Sequence, residues 1–299
     1  MQTLSDFYKS IFGCKTYKIA LDAGCTCPNR DGTKGTGGCI FCSQKGSGDF
    51  VSSKNLSIEE QVEQGKKLVE SKLKGRTGER KGTFIAYFQN FTSTYGNSKN
   101  LIEKYREALL CENVCGLAIA TRPDCLNDEI LSELAELSKN HFVQIELGLQ
   151  TSNEKTGLFI NRCYTNQDYI EAVKLIQKVA PKIHIVTHLI FGLPGESEKD
   201  MLASVKFVVQ QNQNQLFGIK ITVLYVVKNT KLAAMYEKGE VKTLSKDEYF
   251  LLLQKALCFL PCDCVVHRLT GDPPKALVLA PLWTTDKKRV LNELKKLLS

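Results

Sequence analysis

Four cysteines stand within residues 21–43, LDAGCTCPNRDGTKGTGGCIFCS, separated by glycine, polar residues and one proline. Thiols packed this densely on a loop suit a metal centre. Cys39 and Cys42 form a C-x-x-C pair, the spacing at which two thiolates on a tight turn reach one ion or one cluster. Cys27 lies further back and Cys25 two residues before it. Two geometries compete. If all four bind, the spacing suits a closed tetrahedral zinc site, structural and chemically inert. If only three bind, a [4Fe–4S] cluster keeps one iron open for a substrate or cofactor. Phe41, directly before the last cysteine, favours the second geometry, because a flat apolar side chain beside an open iron is what an adenine stacks on.

Other candidates are polar residues inside strands. In VQIELGLQT, Gln144, Glu146 and Gln150 alternate with Val143, Ile145, Leu147 and Leu149, so the polar set shares one face. A carboxylate such as Glu146 in a barrel interior binds either a ligand or a neighbouring Arg or Lys. By the same alternation His184 and His188 share a face, as do Lys220 and Thr222. Thr121, Arg122, Pro123 and Asp124 end a strand with two opposite charges, where Arg122 either clamps a carboxylate or pairs with Asp124. The turn GLPGE after Phe191 lets backbone approach a ligand closely, and a purely structural turn uses the same residues. HRLTGD, from His267 to Asp272, crowds His, Arg, Thr and Asp at a strand end, either facing substrate or, the favoured reading, forming a polar network that closes the barrel.

The elements that must position these groups alternate. Strands are expected at 16–22, 83–88, 116–120, 141–147, 184–191 and 218–226, and helices at 58–73, 100–110, 127–137, 167–179 and 197–210, with Asn127 as an N-cap. Six successive βα units mean a parallel sheet that right-handed crossovers curl into a full or partial barrel. Chemistry then sits at the carboxyl ends of the strands, which is where the cysteine loop emerges. Beyond residue 226 a helix at 244–260, a strand at 264–269 and a helix at 286–298 are expected to cap the barrel.

The 299 residues are enough for one large α/β domain or two small ones, and 43% apolar with 24% charged residues is ordinary for a globular protein. No run of eighteen apolar residues and no apolar leader is present, so a cytoplasmic protein without a membrane segment is expected. Twelve cysteines in a chain this long do not form a secreted disulfide framework. Cys111, Cys115, Cys125, Cys163, Cys258, Cys262 and Cys264 are scattered and are expected to pack as small buried hydrophobes. The net charge of +8 allows a polyanionic partner. Its densest source, residues 66–81, reads as a solvated helix face running into a loop, or as a phosphate contact.

The cysteine loop, TRPDCL from Thr121, ELGLQT from Glu146, INR from Ile160, HLIFGLPGE from His188, GIK from Gly218 and HRLTGD together resemble the YhcC/YtqA-type radical S-adenosylmethionine proteins, relatives of the elongator catalytic subunit. The likeness runs over nearly the whole chain. It implies a partial (β/α)6 TIM-like barrel with a short C-terminal α/β cap, the barrel spanning 1–228 with its cluster loop at 25–42 and the extension 229–299. It implies a [4Fe–4S] cluster held by Cys27, Cys39 and Cys42 and chelated at its open iron by S-adenosylmethionine. One electron, from a donor such as flavodoxin or ferredoxin, then yields a 5′-deoxyadenosyl radical that abstracts hydrogen from substrate. In this picture Phe41 packs on the adenine, and Gln89, Thr121, Glu146 and Arg162 contact ribose and methionyl groups. Cys25 occupies a place that is usually aromatic in the family, against the zinc geometry. The resemblance, with the positive charge, further implies tRNA as substrate, at the C5 side chain of the wobble uridine; the alternatives are a radical enzyme acting on a small metabolite or a protein side chain, and a non-catalytic zinc-stabilised RNA-binding module. Two family histidines are absent: Cys163-Tyr164 stands where NRGH is usual, and Thr222 where IK-x-H is usual.

Overall fold

The computed structural model describes residues 1–44, 46, 55–73, 82–213 and 215–298. The first half of the chain runs β1 (Gln2–Thr3), α1 (Leu4–Phe12), β2 (Lys15–Leu21), α2 (Ile58–Leu73), β3 (Gly82–Phe88), α3 (Ser98–Leu110), β4 (Val114–Thr121), α4 (Asp128–Leu137) and β5 (Phe142–Gln150). The second half runs α5 (Glu154–Phe159), α6 (Asn166–Val179), β6 (His184–Phe191), α7 (Glu198–Gln211), β7 (Phe217–Val223), β8 (Val226–Val227), α8 (Lys231–Glu237), α9 (Lys246–Leu257), β9 (Val265–Arg268), β10 (Val278–Ala280) and α10 (Lys287–Leu298).

Eight strands form one parallel sheet in the order β1-β9-β7-β6-β5-β4-β3-β2. Strands β2 to β7 lie side by side in chain order, the outcome of repeated crossovers of one hand. Among the described residues the end strands β1 and β2 do not pair, so the curled sheet is a partial barrel with a seam. The outward side chains, such as Leu117, Ile119, Val143, Ile145, Ile185 and Ile219, are buried with Val62, Leu134, Val173 and Val205 of the helices in one core.

Local signals set the helix starts. Asn127 caps α4 by accepting from the Ile130 amide, as expected. Thr165 with Asp168, Ser197 with Asp200, and Ser245 with Glu248 form capping boxes, and the last of these starts α9 two residues after the expected 244. The expected strand at 218–226 is two strands, because the chain leaves the parallel sheet after Val223 and pairs β8 antiparallel to β10. The N-terminal segment, which carries no strand or motif signal, folds as α1 and buries Phe7 and Tyr8. The C-terminal part is more than a cap, since β9 joins the parallel sheet beside β7.

The expectation for the scattered cysteines holds only in part: Cys264 is buried, Cys111, Cys115, Cys125 and Cys163 are half-buried, and Cys258 and Cys262 are exposed. Within the basic run, Lys66 pairs with Glu63 at 2.6 Å on α2, while residues 74–81 lie outside the described residues. Among the described residues no helix is long and apolar enough to cross a membrane.

Candidate functional site

Strand β2 delivers the cysteine loop to the carboxyl end of the sheet. The loop folds on itself: the amides of Arg30 and Asp31 donate to the Cys27 carbonyl at 2.7 and 3.2 Å, and the Cys42 amide to the Cys39 carbonyl at 3.0 Å. Gly38, at φ 73°, gives the chain its approach to Cys39, and a Cβ there would lie 2.9 Å from the Arg30 guanidinium. Asn161 anchors the loop from across the site by donating to the Gly38 carbonyl at 2.8 Å.

Three of the four thiols face one another, and each has a donor. The Cys39 and Cys42 thiols share a hydrogen bond, and Cys39 also feels Cys27. That bond lowers Cys42 to about 7 against the pull of burial, helped by Arg30, while Cys39 is raised by the bond and by burial. Arg122 Nη1 lies 3.8 Å from the Cys27 sulfur, Asn29 Nδ2 lies 3.8 Å from the Cys39 sulfur, and the Arg30 side chain donates to Cys42. Cys25 stands apart. It packs against the main core, burial raises it to about 11, and its charged neighbours are Lys104 and Asp22. Among the described residues no three Cys, His, Asp or Glu side chains converge as ligands of a single metal ion, as a closed zinc site requires. A cubane cluster takes its thiolates at separate corners, so it does not need them to converge on one ion.

Below the thiols the lumen is arranged around Glu146. Its carboxylate is 1% exposed and receives Lys18 at 2.5 Å, Gln144 at 2.5 Å, Tyr87 at 2.5 Å, His188 at 2.8 Å and Lys220. Burial opposes the charge, but Lys18, Lys220 and His188 together hold the carboxyl well below its ordinary range. An ionised carboxylate only accepts, so His188 Nε2 carries the proton, and burial and Lys220 lower that ring to about 4. Lys220 is lowered to about 7, chiefly by burial, with Lys18 and Arg268 adding repulsion against the pull of Glu146. Arg268 stands opposite Lys220 in the β7–β9 ladder, is exposed, and has no hydrogen bond or ion pair among the described residues.

The floor is uncharged. His184 and His267 share a hydrogen bond of 2.9 Å between their Nε2 atoms and stack at 5.1 Å, with Phe7 4.7 Å from His184. Burial lowers His184 to about 3 and His267 well below its ordinary value, and His267 Nδ1 is buried with no hydrogen-bond partner among the described residues.

The expected contact residues are distributed unevenly around this space. Phe41 is half-buried beside the thiols and packs against the small apolar cluster that includes Ile160, Leu224 and Val226. Gln89 follows β3 directly and is half-buried. Thr121, the last residue of β4, is buried and hydrogen-bonded to the Thr94 hydroxyl. Glu146 lies mid-lumen with both oxygens already engaged. Arg162 does not match a ligand contact: it is fully buried, and its five donors go to the carbonyls of Tyr164, Leu149 and Thr151 and to Glu154 and Asn166. It pins the end of β5 instead. Arg122 pairs with Asp124 through two bonds of 2.9 and 2.8 Å and also reaches Cys27. HRLTGD divides rather than forming one network: His267 lies in the floor, Arg268 in the lumen, and Asp272 pairs with Lys287 at 2.5 Å.

The two departures from the family pattern have local accounts. Cys163 adopts φ 59°, the conformation that favours a glycine there, and its thiol donates to Asn29 and Asn161. Tyr164 lies between two guanidiniums, Arg122 and Arg162 at 4.8 and 4.7 Å from its ring, and donates to the Gly148 carbonyl at 2.6 Å. Thr222 donates to the Leu189 carbonyl at 3.2 Å. Sequence reasoning missed Lys18 and Tyr87, and singled out Arg268 only as part of HRLTGD, favouring a network that closes the barrel. Lys18 alternates with Tyr17 and Ile19, the same period-two signal that located Glu146.

Comparison with known proteins agrees with this architecture. Residues 31–208 match the model of the radical SAM superfamily, and residues 217–299 that of the radical SAM C-terminal domain. The chain is 40% identical to the uncharacterized protein YtqA of Bacillus subtilis over 294 residues, 98% of this chain and 88% of that one. It is 28% identical to the tRNA uridine(34) acetyltransferase of Methanocaldococcus jannaschii over 166 residues, 54% of this chain and 29% of that one. An archaeal Elp3 structure from Methanocaldococcus infernus shares the fold at a TM-score of 0.66 and 17% identity, over 94% of this chain and 63% of that chain. The chain belongs to the radical S-adenosylmethionine superfamily, whose cofactors, a [4Fe–4S] cluster and S-adenosylmethionine, it shares.

Proposed function

We propose that this protein is a radical S-adenosylmethionine enzyme that modifies tRNA at the C5 side chain of the wobble uridine, in the cytoplasm, drawing its electron from a flavodoxin or ferredoxin. The observation that carries the catalytic part is the grouping of Cys27, Cys39 and Cys42 at the carboxyl end of the barrel, each with its own hydrogen-bond donor. Support for the substrate is the partial likeness to a tRNA uridine(34) acetyltransferase and the net charge of +8.

In this reading Cys27, Cys39 and Cys42 hold the cluster and Cys25 does not. When bound, the cofactors supply a 5′-deoxyadenosyl radical that removes a hydrogen atom from the substrate. Phe41 offers its ring to the adenine, and Gln89 and Thr121 line the route for ribose and methionyl groups. Glu146 acts from the middle of the lumen by fixing Lys18, Tyr87, His188 and Lys220 around the reacting space. The barrel core, 1–228, forms most of that space, and the extension, 229–299, packs on it and adds β9 to its wall.

The test is anaerobic purification, measurement of iron and sulfide, and assay of 5′-deoxyadenosine with and without tRNA lacking its mature wobble base. Formation that is stimulated by that tRNA and lost in Cys39→Ser is the expected result. Retention in Cys39→Ser overturns the cluster assignment, and indifference to tRNA overturns the substrate.

A further inference from the structure

The charges of the lumen do not balance. Lys18 and Lys220 share the single carboxylate of Glu146, and Arg268 beside them has no acidic partner among the described residues. Two to three cations thus face one anion, because Lys220 is lowered to about 7 and keeps only part of its charge, while His188 adds none at neutral pH. Lys220 is 6% and Glu146 1% exposed, so water screens the inner part of this cluster poorly, while Arg268 stands at its open side. Buried charge without a counter-charge is costly, and a fold that keeps it gains when a ligand brings the missing charge.

The placement suits such a ligand. Lys18 lies on β2 at one edge of the split barrel, and Arg268 lies on β9, next to β1 at the other. Tyr87 holds the two ammonium groups apart, each 4.9 Å from its ring centre. The Lys18 side chain keeps 14% exposure and Arg268 is open, so an anion entering at the seam meets them first. A guanidinium can grip two oxygens of one carboxylate or phosphate, while ammonium groups act as point charges.

We propose that Lys18, Lys220 and Arg268 form an oxyanion site for a carboxylate or phosphate group borne by the substrate. The proposal rests on the reading of the lumen as the substrate chamber. The other source of the same chemistry is the methionyl carboxylate of S-adenosylmethionine.

The test is the rate at which phenylglyoxal modifies Arg268, followed by peptide mass spectrometry on the anaerobically purified, cluster-loaded full chain saturated with S-adenosylmethionine. Inorganic phosphate and acetate are the probes, and Arg289, 71% exposed on α10, is the internal control. Severalfold protection of Arg268 but not Arg289 by either anion is expected, and the better protector identifies the oxyanion class. Lys220→Met should remove the protection while Arg268 still reacts without anion. Full protection by S-adenosylmethionine alone, with nothing added by either anion, assigns the site to the methionyl carboxylate and overturns the substrate role. No protection by any of them overturns the site. The 5′-deoxyadenosine assay on tRNA reads the proposed function separately, so either result can fail alone.

Discussion

The two ends of the barrel solve burial in opposite ways. At the floor, His184 and His267 are both neutral, stacked, and enclosed by Phe7, Tyr8 and Phe142. At the mouth and in the middle layer, Arg122, Arg30, Lys18 and Lys220 are partnered by Asp124, by backbone carbonyls and by Glu146. Neutral polar groups need only each other. Charged ones need partners of opposite sign or access to water, so they collect where ligands enter.

Glu146→Gln is expected to break the comparison most severely. It strands two buried ammonium groups, and removing one partner of a buried ion pair costs about 3–5 kcal/mol. A denaturant midpoint that moves by less than about 1 kcal/mol would mean that the lysines are already discharged or hydrated. The wild-type carboxyl is held low, so its contribution is complete above its unfolded value of 4.5 and is lost as pH falls through its native value.

The floor answers to pH with the same sign for a different reason. His184 titrates at about 3 in the native state against 6.5 when unfolded, so the native state binds fewer protons between those values. Stability should therefore fall on acidification from about 6.5, and His184→Phe should flatten that slope at a cost of ~1 kcal/mol for the lost hydrogen bond. Unfolding followed from pH 4 to 7.5 checks this, and an unchanged slope would remove the histidine pair from the account.

Arg122→Gln sharpens the mouth. A cation and a donor near the Cys27 sulfur favour the reduced cluster, so the variant's midpoint potential should become more negative by on the order of tens of millivolts. Potentiometric titration of the cluster signal decides it, and a potential that stays put would leave Arg122 with a structural role only, as partner of Asp124 and of the Cys163 carbonyl.

The smallest effect is at Glu196, in the turn after β6. Burial raises its carboxyl to about 7, so the native state holds the proton longer than the unfolded chain and stability declines as pH rises from 4.5 to about 7. Glu196→Gln should remove that decline, which solvent screening keeps below the full ~1.4 kcal/mol per pH unit. Urea midpoints across that range provide the measurement, and an equal decline in the variant would place its source elsewhere.

Local patterns were legible in the sequence wherever one period or one spacing decided them. The alternation in VQIELGLQT placed Glu146 inside the lumen, and C-x-x-C placed Cys39 and Cys42 together. What escaped depends on partners far along the chain. Arg162 looked available because nothing in INR reveals that Leu149, Thr151 and Tyr164 present their carbonyls to it. The separation of Cys25 from the other thiols follows from which way the loop turns toward α3, with Lys104 and Tyr105 behind it, and spacing is silent on that. Arg268 required the pairing of β9 with β7, a contact between strands that are not consecutive in the sheet's chain order.

Gln2 and Thr3 are in register with Val265 and Val266, so the first strand of the chain waits for nearly the last. A chain growing on a ribosome exposes its cysteine loop early, while the floor of the chamber below closes only after β9 emerges. During synthesis the thiols of Cys27, Cys39 and Cys42 thus emerge long before the lumen beneath them is shut, so the order of the strands in the chain separates the cluster loop from the completion of its chamber in time.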